Sequence, residues 1–184
     1  GKTALALAKG RRLKKEGKKV AYLCYSRALA AHIRHTVEQW PKDERIDVIR
    51  TFHSLSTEFG IKVPTQTGDE FWSHESIEYF EKNVLNRPAS EKFDAVLIDE
   101  AQDFGQKWWD VVEALLKDSE NSCAFAFGDD TQEIFGRSSD FTIPYPPLRL
   151  SLNLRNADPL SKLADEVAHA ETPTIRLAGP QVLY

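Results

Sequence analysis

The chain has 184 residues and a formal net charge of −4, with 41% hydrophobic, 28% charged and 10% aromatic residues. That apolar content exceeds what a disordered chain carries, no stretch reaches the roughly 18 uninterrupted apolar residues of a membrane span, and the mild acidity excludes a uniformly basic surface. Its two cysteines, Cys24 and Cys123, lie far apart in apolar runs, which excludes a disulfide scaffold and a cysteine-rich zinc site and predicts a reducing, cytoplasmic setting.

The chain opens at Gly1-Lys2-Thr3, with no methionine anywhere and no secretory signal, and so reads as a piece of a longer protein. Good helix formers predict a helix over Lys2–Glu16, with Gly17 as its stop. Lys18–Tyr25 (KKVAYLCY) has the apolar, β-branched and aromatic content of a buried strand. A helix is expected over Ala28–Trp40, ending before Pro41, and a strand over Ile46–Phe52. Ser54–Ser90 carries Gly60, Pro64, Gly68 and Pro88 and reads as an inserted, mostly helical subdomain. A strand at Phe93–Ile98, a helix at Gln106–Lys117 and a strand at Cys123–Gly128 follow. Beyond them come an alternating strand at Leu148–Leu154, a helix at Ala157–Ala170 and a short strand at Thr174–Leu177. This alternation predicts an α/β fold with a parallel sheet covered on both faces. Ligands of such sheets bind at the carboxyl ends of the strands, so each polar motif is judged by whether it directly follows a strand.

Gly1-Lys2-Thr3 before a helix has the form of the end of a phosphate-binding loop. There backbone N–H groups and the helix N-terminus hold phosphate, the lysine reaches the β and γ groups, and the hydroxyl holds Mg²⁺. The alternative is a solvated helix start. Asp99-Glu100 directly follows FDAVLI, where a charge is costly unless it meets a cation; the alternative is a helix cap. In a nucleotide motor such an Asp holds the Mg²⁺ shell and the Glu orients or deprotonates the attacking water. Gln132, in GDDTQ after CAFAF, stands where it can read the γ-phosphate, and Arg155, in NLRN, where it can neutralise charge there. Ordinary turn and surface roles compete for both. Ser26 and Arg27 follow one strand, and Thr51, Phe52 and His53 end or follow another. Hydroxyls, a guanidinium and rings suit single-stranded nucleic acid, although Ser26 also suits a cap and Phe52 a core. The run Arg11, Arg12, Lys14, Lys15, Lys18, Lys19 reads as a solvated helix end rather than a nucleic-acid site.

In order and spacing these motifs resemble the UvrD/Rep-type superfamily 1 helicases. Gly1-Lys2-Thr3 resembles the end of their Walker A loop, VAYLCYSRALAAHIR motif Ia, and TFHSL the Thr-Phe-His motif. VLIDEAQDF resembles Walker B, FGDDTQEIFG motif III, and LSLNLRN motif IV. The chain also resembles the branch of this family in which such an ATPase is often joined to a nuclease-related domain. The resemblance implies a RecA-like ATP-binding lobe at 1–53 and 91–150, an inserted helical subdomain at 54–90, and motif IV with the start of a second lobe at 151–184. It implies that Gly1, Lys2 and Thr3 bind ATP and that Thr3 and Asp99 hold Mg²⁺. Glu100, Gln132 and Arg155 would be catalytic, and Ser26, Arg27, Thr51, Phe52, His53 and Phe135 would face single-stranded DNA. Where the family often has Trp-Arg after Phe135-Gly136, this chain has Arg137-Ser138, so base stacking would fall to Phe135 or the Arg137 plane.

The implied activity is DNA-dependent ATP hydrolysis by a motor whose remaining lobe, with or without a nuclease-related domain, lies elsewhere in the parent chain. This piece alone is expected to be inactive, since a motor closes two lobes on ATP. Two rivals share the nucleotide motifs. One is a P-loop ATPase that switches a protein partner without nucleic acid. The other is a thymidine-kinase-like nucleoside kinase, which GKKV and IDEAQDF resemble but which usually carries paired cysteine motifs absent here.

Overall fold

A computed structural model describes residues 1–61, 75–118 and 120–128. The expectations for the strand at 148–154, the helix at 157–170 and the strand at 174–177, and the roles of Gln132, Phe135, Arg137 and Arg155, lie outside the described residues.

Helix α1 (Lys2–Lys15) ends near Gly17, whose φ of 76° is the left-handed turn that a side chain resists. Strand β1 (Val20–Cys24) is buried throughout, as a central strand of a parallel sheet must be. Helix α2 (Arg27–Glu38), strand β2 (Val48–Thr51), and helices α3 (Phe52–Glu58) and α4 (Glu75–Leu85) follow. Strand β3 (Ala95–Asp99), helix α5 (Gln106–Ala114) and strand β4 (Cys123–Phe127) complete the described chain.

The four strands lie in the order β2-β1-β3-β4, every pair parallel. Side chains alternate across the sheet. Val20, Tyr22, Cys24, Ala95 and Leu97 join Ala6 and Leu13 of α1 and Ala30, Ile33 and Val37 of α2 in one buried cluster. Ala21, Leu23, Val96 and Ile98 join residues of α3, α4 and α5 in another, including Phe52, Phe80 and Trp108. Helices therefore cover both faces, and the α/β architecture is that of a RecA-like lobe. Ile77, Phe80 and Val84 of α4 share the core of the sheet.

Two elements differ from the sequence reading for local reasons. The strand expected to run to Phe52 stops at Thr51, and Phe52 opens α3. Thr51 Oγ1 accepts from Ser54 N–H, and Ser54 Oγ accepts from Thr51 N–H, so a reciprocal capping box converts the strand end into a helix start. The helix expected to reach Lys117 stops at Ala114 because the next residues bond to Phe93. Phe93 N–H donates to Leu115 O and Lys117 N–H to Phe93 O, both at 2.9 Å.

Helix α1 runs antiparallel to the strands, from their carboxyl ends back to their amino ends. Lys14 pairs with Asp47 ahead of β2 at 2.8 Å, and Gly10 lies against mid-sheet, where a Cβ would stand 2.8 Å from Leu97 Cδ1. Lys9 Nζ sits 4.5 Å from the Phe125 ring centre. Residues 1–3 therefore lie toward the carboxyl edge. The basic run is largely paired at the other end: Arg11 and Lys15 with Glu44, Arg12 with Glu16, and Lys14 with Asp47.

Candidate nucleotide site at the carboxyl edge

Because every strand is parallel, the residues that follow them meet at one edge. Tyr25-Ser26-Arg27 follows β1, Phe52-His53 follows β2, and Asp99-Glu100 ends β3.

Asp99 is 1% exposed. Tyr22 Oη donates to its Oδ2 at 2.5 Å, and the Glu100 backbone N–H donates to its Oδ1 at 3.1 Å. A carboxylate buried at a sheet end, its oxygens each taking one donor, keeps acceptor capacity for a cation. Burial, then the hydrogen bond to Asp99, pushes the Tyr22 phenol far above its ordinary value, so it remains a donor. Burial, then the negative charge of Asp99, pushes the neighbouring Cys24 thiol up to about 12. Its Sγ–H faces Ser26 O at 3.4 Å.

Glu100 has φ 54° and ψ 50°, and among the described residues it is the one non-glycine with positive φ. A left-handed non-glycine costs about 1–2 kcal/mol, and such strain concentrates at functional sites. Gln102 Nε2 donates to Glu100 Oε2 at 2.7 Å. The carboxylate is partly exposed and held.

Gly1 stands at the N-cap of α1 without a side-chain cap, and no acidic residue occupies the first turn. The leading N–H groups of a helix have no intrahelical partners, and the dipole adds positive character, which suits an anion. Lys2 and Thr3 are half-buried there.

The expected nucleic-acid residues divide into two groups. Ser26 and Arg27 are exposed, and His53 is half-buried. Ser26 Oγ caps α2 by accepting from Leu29 N–H at 3.3 Å. Thr51 is 3% exposed, with its hydroxyl in the capping box. Phe52 is a correction: it is fully buried, stacked on Trp108 with ring centres 4.1 Å apart and planes 3° from parallel, and offers no face to a base. The hydrophobic register of α3, which also buries Leu55, turns it into the core. Trp108 in turn lies near-parallel to Tyr25 at 6.2 Å and edge-on to His53 at 5.1 Å, so one aromatic stack joins the ends of β1 and β2 to α5.

The sequence carries no signal for Tyr22 or Trp108. Tyr22 sits in an apolar run, and only the adjacency of β1 and β3 brings it to Asp99. Gln102 is visible as a polar residue beyond the acidic pair, but its partner is not.

Among the described residues, no group of three or more His, Cys, Asp and Glu can hold a metal. Mg²⁺ takes hard oxygen donors and is commonly bound through one or two carboxylates plus substrate phosphates. The Asp99 carboxylate and the Thr3 hydroxyl are donors of that kind on one edge, and they fit it.

A parallel α/β sheet covered by helices on both faces, with an Asp-Glu pair at the end of a central strand, has the architecture of a RecA-like lobe. Residues 70–143 match the family described as the UvrD/REP helicase N-terminal domain, and the resemblance to UvrD-type superfamily 1 helicases holds. Asp99 and Glu100 lie inside the matched stretch. No curated protein matches the chain. The family consists of ATP-hydrolysing helicases that use ATP with Mg²⁺ and act on DNA. No described helix is long and apolar enough to cross a membrane.

Proposed function

We propose that this chain is the ATP-binding lobe of a DNA-dependent ATPase that couples Mg-ATP hydrolysis to movement on single-stranded DNA. The observation that carries the reading is the Asp99-Glu100 pair: one carboxylate buried and doubly hydrogen-bonded, the next on left-handed backbone and held by Gln102. Lys2 and the leading amides of α1 bind the β and γ phosphates. Thr3 and Asp99 would hold Mg²⁺, which supplies charge neutralisation on the phosphates. Glu100 positions and deprotonates the attacking water. Gln132 reports nucleotide state, and Arg155 neutralises charge on the γ-phosphate; both assignments rest on the sequence motifs.

Ser26, Arg27 and His53 face single-stranded DNA along the same edge, with Phe135 or Arg137 as the stacking platform. Thr51 serves as the cap that orients His53. The lobe spans 1–53 and 91–150, with 54–90 inserted and 151–184 opening a second lobe. The rest of the motor, with or without a nuclease-related domain, completes it, so this piece alone does not turn over. Free Cys24 and Cys123 suit a reducing cytoplasm.

One observation favours a second reading, a P-loop ATPase that switches a protein partner. The hydroxyls of Ser26 and Thr51 are engaged in helix caps, and Phe52 is core. Steady-state ATP hydrolysis by the full-length protein, with and without single-stranded DNA and beside Glu100→Gln, separates the two. Strong stimulation by DNA is expected, with nucleotide binding but no turnover in the variant. Hydrolysis indifferent to DNA would move the assignment to the protein switch. Wild-type turnover in Glu100→Gln would remove Glu100 as the base.

A further inference from the structure

Tyr22 is fully buried in β1, on the sheet face it shares with Val20, Cys24, Ala95 and Leu97. Packing alone asks for a phenylalanine there, because a buried hydroxyl must find a partner or bear its desolvation cost. Its strand register sets it opposite Leu97, two residues short of Asp99 on the neighbouring strand. That diagonal lies within the reach of a long aromatic side chain. The ring crosses it and ends at 2.5 Å from Asp99 Oδ2, while the Glu100 amide takes Oδ1 at 3.1 Å. One donor from β1 and one from the turn after β3 therefore fix the carboxylate plane.

We propose that Tyr22 is a positioning residue for the cation end of the site, its phenol clamping the Asp99 carboxylate in the single orientation that receives the metal of a metal-nucleotide complex. The inference rests on the ATPase reading above. Tyr22 touches neither nucleotide nor metal; it acts through Asp99. Groups that orient a metal ligand from behind typically contribute about 10–100-fold in metal affinity.

The test is Tyr22→Phe in the full-length protein, which keeps the ring and removes one oxygen. Mn²⁺ binding is read by electron paramagnetic resonance with a non-hydrolysable ATP analogue, and hydrolysis is followed against Mg²⁺ concentration. Mn²⁺ affinity is expected to fall about tenfold or more, and the Mg²⁺ needed for half-maximal hydrolysis to rise in step. The turnover number at saturating Mg²⁺ should recover most of its wild-type value. p-Aminophenylalanine at position 22, which restores a weaker donor, should give an intermediate Mn²⁺ affinity. Wild-type Mn²⁺ affinity in Tyr22→Phe overturns the inference while leaving the ATPase reading in place. If Tyr22→Phe does not fold, the p-aminophenylalanine protein carries the test alone, and wild-type affinity there overturns the inference. A wild-type protein that neither binds Mn-nucleotide nor hydrolyses ATP overturns the ATPase reading itself, and the inference with it.

Discussion

The two ends of the sheet use carboxylates in opposite ways. At the amino edge, Asp47 and Asp94 flank the start of β1. Asp47 accepts from Val20 N–H at 2.7 Å and from Lys14, and Asp94 accepts from Lys19 N–H at 2.6 Å and from Lys117. Each negative charge there meets a lysine and a backbone amide, so the arrangement closes on itself. At the carboxyl edge, among the described residues, Asp99 accepts from a neutral phenol and one backbone amide, and Glu100 accepts from a neutral amide side chain in strained backbone. The described donors to these two carboxylates bring no positive charge. Lysines close the amino end, whereas on the ATPase reading the neutral donors at the carboxyl end hold Asp99 and Glu100 for a metal-nucleotide complex.

That contrast can be broken most forcefully at Glu100. Glu100→Gln should lower ATP turnover of the full-length protein by about 10²–10⁴-fold, with nucleotide binding retained, measured by steady-state hydrolysis beside equilibrium binding. Glu100→Gly should lose turnover as well, yet gain about 1 kcal/mol in stability, because glycine accepts φ 54° without strain. A stability loss in a urea titration would show that the left-handed turn is not strained. At the amino edge the signs reverse: Asp94→Asn should cost about 1–3 kcal/mol and leave the metal dependence of turnover unchanged.

Acid sharpens the same contrast. Burial alone would raise the Asp94 carboxyl, but the hydrogen bonds from Lys117 and the Lys19 amide outweigh it and hold the group below its usual range. Lys15 and Arg11 do the same for Glu44, also toward the amino edge. Folded values below the unfolded ones mean stabilisation that is complete above the ordinary carboxylate range and lost as pH falls through the lowered values. Unfolding midpoints should therefore drop below about pH 4, and Asp94→Asn should flatten that drop. Thr51→Val should cost about 1 kcal/mol through its lost cap. The smallest effect belongs to Arg12→Ala, whose exposed pair with Glu16 should change stability by less than about 0.5 kcal/mol.

Much of this fold was legible because its elements have strong local causes. The all-apolar runs of β1 and β3, the stop at Gly17 and the acidic pair after β3 each announce themselves. Phe52 reads from sequence as the end of a strand because the strand-like IDVIRTF run hides a Thr-x-x-Ser cap, and the cap decides which way the next ring turns. Tyr22 was out of reach for a different reason. Its partner lies 77 positions away, and nothing in a run of apolar residues says which strand will lie alongside. Trp108 is buried in the core, and its stack between Phe52 and Tyr25 is a property of the assembled sheet edge.

Thr51 is at once the last residue of β2 and the cap of α3, so no linker separates strand from helix. A joint without a linker has no slack. Whatever displaces the end of β2 must swing α3 about Thr51 as a rigid arm, carrying His53 with it. Because the Phe52 ring is stacked on Trp108, the same swing must either drag α5 along or unstack two aromatic rings. The edge is geared: its segments can change position together, in discrete steps, and resist changing one at a time.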